Sequence, residues 1–119
     1  MNRNELNEIL DKPIKHAEAI FVYEGGIPTA YKFAPYIPDN PDTFFMYVSQ
    51  IDRIYQHLKN ISFNKLYHHK VRVGNKEMYM FVYRITDDVY VFVFSDSLDI
   101  ELGPILFKQV IKPIINHFK

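Results

Sequence analysis

Any chemistry this chain performs has to come from a short list of side chains. His68-His69 is the most suggestive pair, since two imidazoles side by side could begin a metal site. Adjacent residues of a strand face opposite sides of its sheet, so the pair cannot hold one ion without a bulge, and no carboxylate stands at a ligand spacing nearby. His16, His57 and His117 are isolated and read as surface or internally satisfied histidines. Asp87-Asp88, Asp96 and Asp99 fall where turns are expected and suit side-chain bonds to backbone amides. None is accompanied by a second acid or base at the spacing that general acid–base catalysis needs. Gly25-Gly26 is followed by neither Lys-Ser nor Lys-Thr, and it opens a strand where a phosphate loop opens a helix. Without cysteine there is no thiolate nucleophile and no disulfide framework. The expectation is a protein with no catalytic residue, no metal ligand and no cofactor.

Charge points the same way. The 14 basic and 14 acidic residues are dispersed along the 119 positions and the formal net charge is zero, whereas a nucleic-acid binder needs a clustered cationic excess. Nucleic acid is therefore not an expected partner. The length suits one domain spanning 1–119. No run approaches the ~20 apolar residues of a membrane-spanning helix, and the polar start Met1-Asn2-Arg3-Asn4-Glu5 is unlike a secretory signal. A cytoplasmic protein without a transmembrane segment is expected.

The elements that would position any site are plainer. MYMFVYRI (Met78–Ile85) and VYVFVFS (Val89–Ser95), joined at Thr86-Asp87-Asp88, are apolar at nearly every position. A strand with one wet face alternates, so these belong at the centre of a sheet covered on both faces. A short helix is expected over Asn4–Asp11, stopped by Pro13. A hairpin follows, Ala19–Tyr23 and Ile27–Phe33, turning at Glu24-Gly25-Gly26, with Pro28 placing its second strand at a sheet edge. After a loop containing Pro35, Pro38 and Pro41, Asn40-Pro41-Asp42 reads as a helix start, and a long helix over about Pro41–Asn60 has a clear apolar stripe. Phe44, Tyr47, Val48, Ile51, Ile54, Tyr55 and Leu58 fall within an arc of roughly 120°. Phe45 and Met46 break the pattern. They either reach neighbouring loops or belong to a surface that a second chain covers.

The third strand, about Phe63–Val73, is edge-like, with Leu66, His68 and Lys70 on one side and Tyr67, His69 and Val71 on the other. Gly74-Asn75-Lys76-Glu77 then turns into the central hairpin. Asp96-Ser97 supplies a stop, and a last helix, about Gly103–Phe118, should kink or divide near Gln109–Pro113.

This order of elements resembles the roadblock family of dynein light chains and small-GTPase regulators. The resemblance runs through the opening helix, AIFVYEGGIPTAYKF, DTFFMYVSQIDRIYQHLKN, the two central strands and LGPILFKQVIKPIINHF. The proline-rich loop Pro35–Pro41 and Pro113 depart from the family pattern. The resemblance implies an α+β, roadblock/profilin-like fold: an α-β-β-α-β-β-β-α three-layer sandwich whose five-stranded antiparallel sheet carries the first and last helices on one face and the long helix on the other. It also implies a non-enzymatic module that pairs through its third strand, with itself as a homodimer or with another roadblock protein, and that binds a Ras-like small GTPase as regulator or scaffold. The dimer interface would then hold Leu66, Tyr67, His68, His69, Lys70 and Val71, with Phe45 beside them; the GTPase-facing surface maps to Met46, Gln50, Arg53, His57 and Asn60. An activator of this kind would hold the GTPase's own catalytic groups in place without inserting an arginine. A monomer whose Lys65, His68, His69 and Lys70 merely guard a free edge is the plainer reading of the same strand. A longin-type trafficking subunit, a PAS- or GAF-type small-molecule sensor and a small enzyme are the rival readings.

Overall fold

The computed structural model describes residues 3–12, 14, 16–98 and 102–118. The helix stop expected at Pro13 and the turn role of Asp99 lie outside them. Helix α1 (Arg3–Leu10) precedes the hairpin β1 (Ala17–Glu24) and β2 (Ile27–Phe33); α2 (Pro41–Ile54) leads to β3 (Leu66–Val73), β4 (Lys76–Arg84) and β5 (Val89–Ser95). The chain closes with α3 (Leu102–Leu106), a π-helical segment (Phe107–Ile111) and α4 (Lys112–Phe118). All strand pairs are antiparallel, and the five strands lie in the order β2-β1-β5-β4-β3.

Both faces of the sheet are covered, as the apolar central strands require: every residue of β5 is buried. Phe21, Tyr23, Met80, Phe92 and Phe94 face α2 and meet Tyr47, Val48, Ile51 and Leu58. Ile20, Val22, Phe81, Val91 and Val93 face the other way, onto Leu6, Leu10, Leu106, Val110 and Ile114. The α2 side is dense with aromatic rings; Phe21 has Phe33, Tyr47 and Phe94 within centroid distances of 5.9, 6.2 and 6.0 Å, the range of favourable ring pairs.

Local chemistry accounts for the turns and helix ends. Gly25 and Gly26 both have positive φ, 62° and 85°, the two-residue turn that matches strand twist. Pro28 sits on the outer strand β2, opposite Tyr23, where a register shift breaks the ladder. Asn40 is extended and its Oδ1 accepts the Thr43 amide at 2.9 Å, with Pro41 at the first helical position.

Four expectations are corrected. The long helix is α-helical only to Ile54 and tightens into a 3₁₀ turn over Tyr55–Asn60, because the sheet's side chains take the carbonyls at its end: Tyr90 donates to Leu58 at 3.1 Å and Arg84 to Lys59 at 2.9 Å. The third strand begins at Leu66, three residues later than expected. The turn after it is only Gly74-Asn75, with Lys76 and Glu77 already in β4. At the central hairpin the acceptor is Thr86, whose hydroxyl takes the Asp88 amide at 3.3 Å, while Asp87 pairs with Arg84 at 3.5 Å. The kink ahead of Pro113 takes the form of the π segment, in which the Lys112 amide reaches back to the Phe107 carbonyl; widening the turn accommodates a residue without an amide proton.

Asn40→Ala should lower the unfolding free energy by about 1 kcal/mol, seen as a shifted urea midpoint at unchanged slope. An unmoved midpoint would show that the cap contributes nothing.

Candidate functional site

β3 pairs with β4 along one side and leaves its other side open. The short Gly74-Asn75 turn makes Val73 and Lys76 a hydrogen-bonded pair, and strict alternation then sends the amides and carbonyls of Tyr67, His69 and Val71 inward to β4 and those of Leu66, His68, Lys70 and Arg72 outward. His68 lies opposite Phe81 and His69 opposite Met80, residues of the two different cores, so the imidazoles point to opposite faces as expected. Leu66, Tyr67 and Val71 are half-buried; His68, His69 and Lys70 are exposed. The Tyr67 hydroxyl accepts the Ser62 amide at 3.2 Å, and hydrogen bonding from the Ser62 side chain first and then from this amide holds its pKa below the usual phenol value. Burial, and then the neighbouring His68, push the His69 pKa down, so its charged form is disfavoured.

The flank of α2 overhangs this strand. Gln50, Arg53 and Ile54 from the helix and His69, Lys70, Val71, Arg72 and Glu77 from the hairpin line an open groove of about 400 Å³. Arg53 donates to Gln50 Oε1 at 3.3 Å, and Glu77 lies 3.5 Å from both Lys70 and Arg72. Two residues expected on a separate partner surface, Gln50 and Arg53, thus stand beside the strand expected to form the dimer interface. His57 and Asn60 are exposed on the 3₁₀ turn and do not line the groove. Met46, 42 % exposed, covers the turn at Gly74, where its methyl comes to 3.0 Å of the position a Cβ would occupy. Phe45 is 65 % exposed and touches Phe44, with ring centroids 5.8 Å apart. Met46 reaches a loop and Phe45 faces outward.

Arg72 and Glu77 join the site only in the structure. A two-residue turn would have placed Glu77 opposite Arg72, and Gly74 was the available signal; the four-residue reading hid it. Glu18 was missed too. It is the extra residue at a register shift between β1 and β5, is 1 % exposed, and pairs with Lys76 while Tyr36 donates to it at 3.4 Å. This pair fastens the proline-rich loop to the β4 end of the sheet. Among the described residues, no three His, Asp or Glu side chains gather as a metal would require.

The whole chain can be compared with solved structures. It superposes on MglC from Myxococcus xanthus with a TM-score of 0.58 at 13 % identity, covering 97 % of each chain. With the gliding protein MglB from Thermus thermophilus the TM-score is 0.56 at 15 % identity, covering 95 % of this chain and 87 % of that one. This is the roadblock fold. No protein-family model matches the sequence, and no curated protein matches it either. In this roadblock-fold chain, no helix among the described residues is long and apolar enough to cross a membrane.

Tyr47 anchors α2 to the sheet against Phe33 and Phe94, and its pKa is pushed up to about 12 by burial first and then by the charge of Glu18. An unfolded tyrosine titrates near 10, so the stability tied to neutral Tyr47 is full below pH 10 and is lost as pH rises towards 12. Urea unfolding between about pH 9 and 12 should show the wild type losing on the order of 2 kcal/mol more than Tyr47→Phe. Parallel curves would refute this assignment.

Proposed function

We propose that this chain is a non-enzymatic interaction module that pairs with a second roadblock-fold chain along β3 and binds a Ras-like small GTPase, which it regulates or scaffolds. The observation that carries the pairing is the open outer side of β3, next to a groove roofed by α2, on a sheet whose other edge is interrupted by Pro28. The GTPase reading rests on the roadblock resemblance of the sequence, supported by a fold shared with MglC and a gliding protein. Met46, Gln50, Arg53, His57 and Asn60 supply the partner-facing surface, and Arg53 is its strongest single anchor: an exposed, permanently charged fork at the mouth of the groove.

The rivals fit less well. A longin-type subunit begins with a strand, whereas α1 precedes β1 here and buries Leu6 and Leu10 in the core. A PAS- or GAF-type sensor needs room between helix and sheet, and the rings of Phe21, Tyr47 and Phe94 occupy that space. A small enzyme needs an acid–base or nucleophile–base pair in a built site; His68 and His69 face apart, and the histidines that do meet a carboxylate, His16 with Asp96 at 3.2 Å and His117 with Glu5 at 3.1 Å, gather no third His, Asp or Glu among the described residues.

Purified Ras-like GTPases of the source genome, each loaded with a non-hydrolysable GTP analogue or with GDP, provide the test by calorimetric titration. At least one should bind, and Arg53→Glu should weaken it about tenfold or more while leaving thermal unfolding in place. Failure of every GTPase to bind would defeat the GTPase reading.

A further inference from the structure

The overall charge balance conceals a one-sided strand. The eight residues of β3, LYHHKVRV, include two histidines, a lysine and an arginine and no carboxylate, and Lys65 precedes them. Among the described residues lining the groove the single carboxylate is Glu77, which its own chain already uses: Oε1 lies 3.5 Å from Arg72 and Oε2 3.5 Å from Lys70.

Register decides what a second strand would meet here. The residues with outward amides are Leu66, His68, Lys70 and Arg72, by the alternation fixed at the Gly74-Asn75 turn. In an antiparallel pair about a two-fold axis, residues with outward amides oppose one another. Within β3, Lys70 and Arg72 would therefore face only Leu66, His68, Lys70 or Arg72 of the other copy, and beyond its ends only Asn64 or Gly74. No register brings a carboxylate opposite either cation, and every register that sets Lys70 or Arg72 against Lys70 or Arg72 of the other copy places like charges directly across the ladder, which is destabilising.

We infer that β3 forms a cationic docking edge whose occupant is the edge strand of a different chain, one carrying carboxylates opposite Lys70 and Arg72, in preference to a second copy of this chain. This rests on the edge-pairing part of the proposed function and names the partner's chemistry. Backbone bonds along His68–Arg72 supply the pairing, and charge selects the partner.

The chain's own charge-reversed variant, K70E/R72E, serves as an acidic edge of matching geometry. Solution masses and association constants are measured by sedimentation for each chain alone and for the mixture. The mixture should form a one-to-one complex at least about tenfold tighter than wild-type self-association in about 20 mM salt, and should lose that margin in about 500 mM salt. His68→Pro in the wild-type partner, which removes an outward amide without touching the β3–β4 ladder, should abolish the complex. If the double variant fails to fold, K70E alone carries the same comparison. A wild-type homodimer as tight as the mixture and insensitive to salt, but dissolved by His68→Pro, would overturn the charge inference and leave edge pairing standing. A mixed complex that survives His68→Pro would overturn both. Monomers throughout would do the same, leaving the lysines and histidines as guards of a free edge.

Discussion

The structure depends on one constraint: a central strand that cannot tolerate water on either face. β5 is buried along its whole length, its neighbour β1 at all but its two end residues, and β4 through Met80–Tyr83. Satisfying it takes helices on both sides, which fixes three layers and assigns each helix to a face by the parity of the strand residues it covers. Polar residues are then displaced outward, to the loops, the helix flanks and the two outer strands. The proposed recognition surface lies at β3, since the interior of the sheet has no room for one.

The few charges that do enter the interior tie elements together. Arg84 is mostly buried between the rings of Phe63 and Tyr90, 4.5 and 5.5 Å from their centroids, and donates to the carbonyls of Lys59 and Ile61. A planar guanidinium suits such a stack with directed donors, where an ammonium would not. Glu18 does the equivalent at the opposite end of the sheet, holding Lys76 and Tyr36. Each joins a strand to a segment that hydrophobic packing alone leaves loosely placed.

The parts legible in the sequence are those governed by local chemistry or simple periodicity: the stripe of α2, the Asn40 cap, the Gly25-Gly26 turn, the outer position of Pro28 and the disturbance before Pro113. What escaped depends on contacts between distant residues. The tightening at Tyr55–Asn60 is set by Tyr90 and Arg84, more than twenty residues away in sequence. The burial of Glu18 needs a register shift against β5 that no pattern within β1 announces. Within the site, the outer-strand character of Leu66–Val71 was readable, whereas the approach of Arg53 to that strand depends on which flank of α2 overhangs it. Glu77 required the true turn length, and one residue of error in a turn exchanges every cross-strand neighbour.

The two outer strands are unequal, and the inequality has a topological meaning. β2 carries Pro28 and a register shift, and α1 packs against it with Asp11 bound to Lys32 at 3.1 Å. Among the described strands, only β3 offers an unbroken outer row of backbone groups. Considered as a building block, the chain has a valence of one along the hydrogen-bonding direction: it can terminate a growing sheet but cannot relay it. A domain rich in β-branched and aromatic strands is thereby kept from forming filaments, without giving up the outer strand that the proposed pairing uses.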